Sequence, residues 1–452
     1  MSKGTGSYHK NPKEIELVTP NNTKTYWFVR LTVQLLILSF VIDGIKISFE
    51  GKIGLYINNA IFVTEILCII VILITVLLSL FGKLPSLRKT EKSFFKSYFS
   101  ILFLFTVIFT LNANLEQITG RGNFRAIFII LTLGLCVISL PLVRKDIKIL
   151  ISSMIAIALI NATYNLCLFY GFISPLDIIK YGYRGGGLRF SGFSSYPSYI
   201  GILCSSSCAA IFPYLLLSRS RNRLILLLIF LLCVSGIFSS MSRSAMVGLC
   251  LLVLFYIFTL EAKNIRALLT IISVVIIVFG WNSMRNDTTP EFVLKTHRDN
   301  VRPASFVSAV IISVYRPWGI EIGSFSTYEK KYNPRRLCGV EEPHSGIAQL
   351  LIYGGVISLV IYSKLTLQIL FRFTSRFRKL HVTTQSCFLA YLSTFGVFSL
   401  EQGMYMSIVL FLNLFLLALA IKSFEIDADR EGQRLRHRYE RKSLKKVQAT
   451  AD

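Results

Sequence analysis

Acidic side chains are scarce in this chain: 24 Asp and Glu stand against 49 Lys and Arg, and charged residues make up 16% of its 452 positions while apolar ones make up 53%. With a mean hydropathy of +0.59, that composition excludes an ordinary soluble domain and indicates a polytopic membrane protein, so length does not count domains here. The polar stretch 1–25 lacks an apolar core or a small-residue cleavage site, which predicts no removable signal peptide and a first helix kept as an anchor. Internal repeats and extended low-complexity segments are also lacking. Cysteine offers no disulfide framework, because eight of the nine fall within predicted helices and only Cys338 lies in a soluble loop. Cys204 and Cys208 share a helix face, a spacing that favours small-residue packing over metal binding.

What is present is a series of about twelve apolar stretches, at roughly 27–47, 58–81, 98–115, 126–143, 149–173, 196–217, 224–241, 245–261, 266–282, 346–363, 383–400 and 404–423, each near the ~17–25 residues that a bilayer core demands. Lipid offers no partners to unpaired backbone groups, and the stretches are too long and too uniformly apolar for barrel strands, so helices are the expected form. The predicted fold class is therefore all-α: a polytopic bundle of about twelve spans with a large outer loop between the ninth and tenth. This divides the chain into a cytoplasmic tail (1–25), spans one to nine (26–282), the outer loop with short helices of its own (283–345), spans ten to twelve (346–423) and a basic cytoplasmic tail (424–452). Lys and Arg gather in alternate short loops, as at Lys83 to Lys96, Arg144 to Lys148, Arg219 to Arg223 and Lys364 to Lys379, which places both termini inside. From about Ser423 the densely charged end reads as a solvated or headgroup-facing helix. Asp427 and Asp429 form a DxD spacing there, but among arginines and on the cytoplasmic side, which argues against a metal.

A formal charge of +25 raises the question of nucleic acid, but most of the basic residues fall in segments where the orientation rule already accounts for them. The outer remainder is not so explained. It comprises Lys180, Arg184, Arg189, Arg243 and the arginines of the large loop, and it suggests an anionic ligand such as a phosphate or pyrophosphate.

Four outer elements carry this chemistry. In YRGGGLRFSGFSSYPS (183–198) the glycines allow close approach to an anion beside Arg184 and Arg189, although a flexible loop ending at Pro197 reads equally from the residues. SSMSRSAM (239–246) is a tight polar reversal whose Arg243 either snorkels to the interface or points into a cavity. Arg302 stands at the head of a predicted loop helix, VRPASFVSAVIISVY, expected to lie on the membrane surface or to pack over the bundle; RPWGIEIGSF (316–325) follows, with Arg316 and Glu321. In EEPHSGIAQLLIYGG (341–355), His344 sits at the entrance of a membrane helix after a proline and beside Glu341 and Glu342. A lone histidine is usually structural, but this placement admits an acid or base role.

Taken in order, RFSG (189–192), SRSAM (242–246), Arg302 with an aromatic four residues on, PWGIEIGSF (317–325) and HSGIAQLLIYGG (344–355) resemble the signature of the O-antigen ligase and polymerase superfamily. The layout resembles that family across nearly the whole chain, and the residue match covers about 190–355. Two departures stand out: the family's GxG after the proline is Gly319 and Glu321 here, and Phe306 stands where tryptophan is common. The resemblance implies a membrane glycosyltransferase of the bacterial inner membrane, its long loop periplasmic, that uses a polyprenyl-pyrophosphate-linked glycan as donor and needs no cofactor. Arg189, Arg243 and Arg302 match positions where the family holds the pyrophosphate, with Arg184 and Arg316 as further candidates. His344 matches the essential loop histidine and is the first candidate for general base, with Glu342 and Glu321 the alternatives. No DxD or HExxH occurs on the outer face, which fits a metal-independent reaction, and single displacement would invert the anomeric carbon.

Two acceptors fit: a second lipid-linked repeat unit for a polymerase, which the looseness of the match favours slightly and which admits a chain-length regulator as partner, or lipid A-core for a ligase. Membrane lipids are the remaining partner, and nucleic acid is not one. A secondary transporter or lipid-linked oligosaccharide flippase would be expected to show paired halves and midplane charges, but here no repeat is seen and buried charge is sparse, chiefly Glu65 and Asp43. A purely structural membrane protein fits the spans and leaves the outer arginines unexplained.

Overall fold

The structure is a computed structural model that describes residues 28, 30–35, 54–82, 84, 87, 89–112, 132–173, 181–184, 187–190, 197–217, 220–240, 242–259, 301–321, 323–333, 343, 345–400, 412–429 and 431. Its helices are α1 (Gly54–Leu80), α2 (Lys89–Asn112), α3 (Arg144–Phe169), α4 (Pro197–Leu217), α5 (Ser220–Ser239), α6 (Arg243–Thr259), α7 (Val301–Tyr315), α8 (Phe325–Tyr332), α9 (Gly346–Arg376) and α10 (Val382–Leu400), with further helical runs at 132–139 and 412–429. Among the described residues, four helices are long and apolar enough to cross a membrane: Arg144–Phe169, Tyr199–Leu216, Asn222–Ser239 and Gly346–Lys379. The protein is thus a helical, membrane-associated bundle.

One element departs from the all-α expectation. Strands β1 (Tyr181–Arg184) and β2 (Gly187–Phe190) pair antiparallel, with Arg184 opposite Gly187 and Gly182 opposite Arg189. The glycines of this stretch suit an anion cradle or a flexible loop, but two of them separate aromatic-rich alternating segments, the spacing that favours a hairpin. The register assigns Arg184 and Arg189 to one face and Tyr181, Tyr183, Leu188 and Phe190 to the other.

Small residues let the central helices approach closely, as they do where lipid provides no hydrophobic drive between helices. A Cβ on Gly201 of α4 would lie 2.5 Å from the Cβ of Ser242, and one on Gly248 of α6 would lie 2.7 Å from the carbonyl oxygen of Ser393 in α10. Beside that contact the Ser205 and Ser393 hydroxyls meet at 2.5 Å. Farther along, Tyr214 Oη and Thr383 Oγ1 are 3.0 Å apart. These pairs make α4 antiparallel to α10 and parallel to α6. Asn165 Nδ2 donates to Ser239 Oγ at 2.7 Å, and Gly236 abuts Ala162, so α3 and α5 run parallel with their C-terminal ends together.

The bundle therefore has two distinct ends. The upper end collects the C-terminal ends of α3, α5 and α10 with the N-terminal ends of α4, α6 and α9. The lower end collects the starts of α2, α3 and α10 with the finish of the run 412–429. There Lys422 Nζ donates to Glu91 Oε1 and to the Ile138 carbonyl, both at 2.8 Å. Asp427 pairs with Arg144 and also accepts the His381 backbone N–H at 2.8 Å. The start of the charged tail is consequently not solvated: the last helical run continues to residue 429, with Ser423, Phe424 and Glu425 buried and Asp429 exposed. The first aspartate of the DxD spacing, Asp427, is engaged by Arg144, the counter-charge that draws this turn into the bundle.

Candidate functional site

The upper end holds three of the sequence elements singled out above, each at a helix start. α4 begins at Pro197, whose fixed φ and missing N–H suit a first helical position, and it follows the RFSG segment and β2. α6 begins at Arg243 inside SRSAM. Ser242, the residue before it, lies against Gly201 of α4, places its Oγ 3.4 Å from the Ala245 N–H and lies 3.2 Å from the Ser244 hydroxyl. α9 begins at Gly346, immediately after His344 and Ser345.

Ser345 fixes that third start. Its Oγ accepts the Ala348 N–H at 3.3 Å, an N-cap, and donates to the Ser399 carbonyl at 2.8 Å, which docks the entrance of α9 on the end of α10. Gln349 Nε2 donates to the Pro343 carbonyl at 3.1 Å. A Cβ on Gly346 would lie 2.6 Å from the Phe398 carbonyl oxygen, so the approach requires glycine. His344 itself, like Glu342, lies outside the described residues, but the residues on either side of it are fixed: Pro343 is buried and Ser345 half-buried.

The electrostatic consequence follows from the helix starts. The positive ends of three helix macrodipoles gather where α4, α6 and α9 begin, and such termini attract anions. Arg243 occupies the first position of one of them.

The PWG segment forms a second unit, joined to α9. α9 is broken at Gly355, whose φ of 71° and ψ of 173° interrupt the helix. At the break, Val356 N–H donates to the Pro317 carbonyl at 3.0 Å and Ile320 N–H to the Ile352 carbonyl at 2.7 Å, so the turn after α7 satisfies backbone groups that the break frees. Gly319 has a φ of 103°, and a Cβ there would lie 3.1 Å from two α9 carbonyls; a Cβ on Gly355 would lie 2.7 Å from the Pro317 carbonyl oxygen. The two glycines are thus needed for the same contact. Both motifs stand out in the sequence, but their pairing does not, its only signal being the glycine doublet after Tyr353.

Glu321 is half-buried in this turn, its carbonyl accepting the Ser324 N–H at 3.2 Å. Arg316 is exposed, with its guanidinium 5.6 Å from the Tyr328 ring centre. A hydrogen bond with Tyr332 and the nearby Tyr328, Tyr332 and Glu321 charges push its pKa up, so the charged form is favoured. Arg302 is the second residue of α7. Arg184 and Arg189 lie on the hairpin, and β2 packs on α3. The backbone thus sets Arg243, the α4 entrance and the residues flanking His344 at one end of the bundle, whereas Arg302, Arg316 and Glu321 belong to the α7–α8 unit stitched to Gly355. The side chains of Arg184, Arg189, Arg243 and Arg302 lie outside the description.

One carboxylate escaped the sequence reading. Glu329 of α8 is 2% exposed and accepts the Ser308 hydroxyl at 2.6 Å, while Asn333 Nδ2 donates to Ser308 Oγ at 3.0 Å. These bonds tie α8 to α7 and hold the turn between them. Nothing in the KKY context of Glu329 distinguished it from a surface charge.

The chain matches no protein-family model and no curated protein sequence.

Proposed function

We propose that the chain is a membrane glycosyltransferase of the O-antigen ligase and polymerase type, which moves a glycan from a polyprenyl-pyrophosphate carrier to a sugar hydroxyl at the periplasmic face of a bacterial inner membrane. The observation that carries this reading is the gathering of three helix starts at one end of the bundle, those following RFSG, within SRSAM and after His344. Positive helix ends and guanidinium groups suit a diphosphate, whose charge grows as it leaves.

In the proposed reaction the acceptor oxygen forms a bond to the anomeric carbon as the bond from that carbon to the pyrophosphate oxygen breaks. The electron pair leaves on the carrier diphosphate, held by Arg189, Arg243 and Arg302 with Arg184 and Arg316 as further contacts. The acceptor's proton passes to His344, or to Glu342 or Glu321 if one of these is the base, and the anomeric configuration inverts. Between the two acceptors we favour a second lipid-linked repeat unit over lipid A-core, and transfer assays offering each separately decide it.

The test is a replacement series at Arg189, Arg243, Arg302 and His344, scored for surface polysaccharide with the protein level followed in membranes. Loss of glycan at normal abundance supports the reading. Unchanged glycan in His344→Ala removes the histidine as base, and unaffected transfer in all three arginine variants removes the pyrophosphate site.

A further inference from the structure

Helix α7 is built inside out. Its inward face is largely small and hydroxylated, with Ser305, Ser308, Ala309 and Ser313 buried alongside Ile312, while Phe306, Val307, Val310 and Val314 face outward. At 3.6 residues per turn these four fall on one arc, and the exposure is large, reaching 73% at Val314. A helix lying on a protein in water shows the reverse arrangement, because exposed large apolar side chains are opposed by the hydrophobic effect. Small and hydroxyl residues toward the protein with large apolar residues outward is the arrangement that lipid selects.

The outward face also has a neighbour. The hydrogen bond from Val356 to the Pro317 carbonyl sets the turn after α7 directly against α9. Trp318, 70% exposed, therefore stands in a turn whose backbone meets α9 at Gly355 and Val356, and Val356, Ile357 and Val360 are exposed on that helix, which is long and apolar enough to span a bilayer. Exposed apolar residues thus lie on both sides of that joint, on α9 and on α7. Three exposed cations, Arg316 at the end of α7 with Lys330 and Lys331 of α8, belong to the same α7–α8 unit.

We propose that the outer face of α7, together with Trp318, is embedded in the interfacial layer of a lipid bilayer, with Arg316, Lys330 and Lys331 at the level of anionic headgroups. Aromatic residues flanked by cations are enriched at that level, and a helix with one such face lies in the plane of the interface. The inference does not depend on sugar transfer. It defines α7 as a lipid-seated element that carries Arg302 and the Pro317–Gly323 turn.

Trp318 reports on this directly. The full chain with Trp27→Phe and Trp281→Phe, purified and reconstituted in vesicles of phosphatidylcholine and phosphatidylglycerol, leaves Trp318 as the sole tryptophan. Bromine on shallow acyl positions is expected to remove most of its emission, while iodide in the aqueous phase removes little. Efficient iodide quenching without an effect of brominated lipid overturns the proposal. Protection from both quenchers, with disulfide cross-linking of a Val314→Cys variant between chains, assigns the face to a second copy and also overturns it. Replacing phosphatidylglycerol by phosphatidylcholine alone is expected to weaken the bromine effect; an unchanged effect removes the headgroup part of the proposal. Because the readout is fluorescence, it can fail while glycan transfer stands, and the reverse.

Discussion

The two ends of the bundle treat charge in opposite ways. At the lower end it is closed on itself: Lys422 and Glu91 pair with side chains 7% and 4% exposed, and Asp427 takes both Arg144 and a backbone N–H. At the upper end the described bonds are made by hydroxyls, an amide and the backbone, around helix starts that leave positive potential facing outward. Buried ion pairs hold helices in register, whereas no ion pair is seen among the described residues of the upper end, and positive helix ends suit an anion that arrives. The comparison therefore predicts different phenotypes for charge removal at the two ends. Loss at the lower end should cost protein, and loss at the upper end should cost activity.

The largest effect is expected at the upper end. Arg243→Ala or His344→Ala should lower transfer by about two to three orders of magnitude, the scale of a lost transition-state donor or general base, with membrane abundance near normal. A single-turnover assay with a lipid-linked donor measures this. If abundance falls in step with transfer, the contrast between the ends disappears.

At the lower end, Lys422→Met takes a paired ammonium from the buried Glu91 carboxylate and should destabilise the protein by up to about 3–5 kcal/mol, seen as reduced abundance and a lower unfolding temperature in detergent. Lys422→Met with Glu91→Leu removes both charges and should recover most of the loss. A double variant no better than the single one would show that the pair is not what joins the last helical run to α2.

Much of this contrast was legible in the sequence, and the reasons are particular. Apolar length marked the helices, because lipid forces backbone groups to pair within a segment. Arg144, Arg372 and Arg376 were legible as one side because basic residues cluster in alternate loops. The burial of Ser423 to Glu425 and the pairing of Asp427 were not legible, since a run rich in acids and bases reads as solvated unless its partner is known, and Arg144 is far away in sequence. The hairpin was missed because the glycines between Arg184 and Leu188 suit a loop and a tight turn equally. At the candidate site, His344 stood out by its place before a helix, whereas the joint between Gly319 and Gly355 depends on two loops meeting and could not be read from either.

That joint yields the third prediction. Gly355→Ala meets both a positive φ and a carbonyl 2.7 Å from the new Cβ, so it should cost about 1–3 kcal/mol or shift the α7 turn. Hydrogen exchange across 316–324 should rise in this variant while the lower end stays protected, since no described bond links the two. Equal loosening of both ends would mean that the break in α9 controls the whole bundle.

The smallest effect separates support from chemistry at the α9 entrance. Ser345 both accepts from Ala348 N–H and donates to the Ser399 carbonyl, so Ser345→Ala should lower stability by about 1 kcal/mol as a lost N-cap. Thr at this position can make both bonds and should restore stability; Asp can accept from Ala348 but, when ionised, cannot donate to Ser399. If His344 acts on substrate, the residue beside it sets its position, and Ser345→Asp should keep the helix start yet lose transfer beyond any loss of abundance. Should transfer track abundance across Ala, Asp and Thr, Ser345 serves the fold alone and the docking of α9 on α10 does not position the histidine.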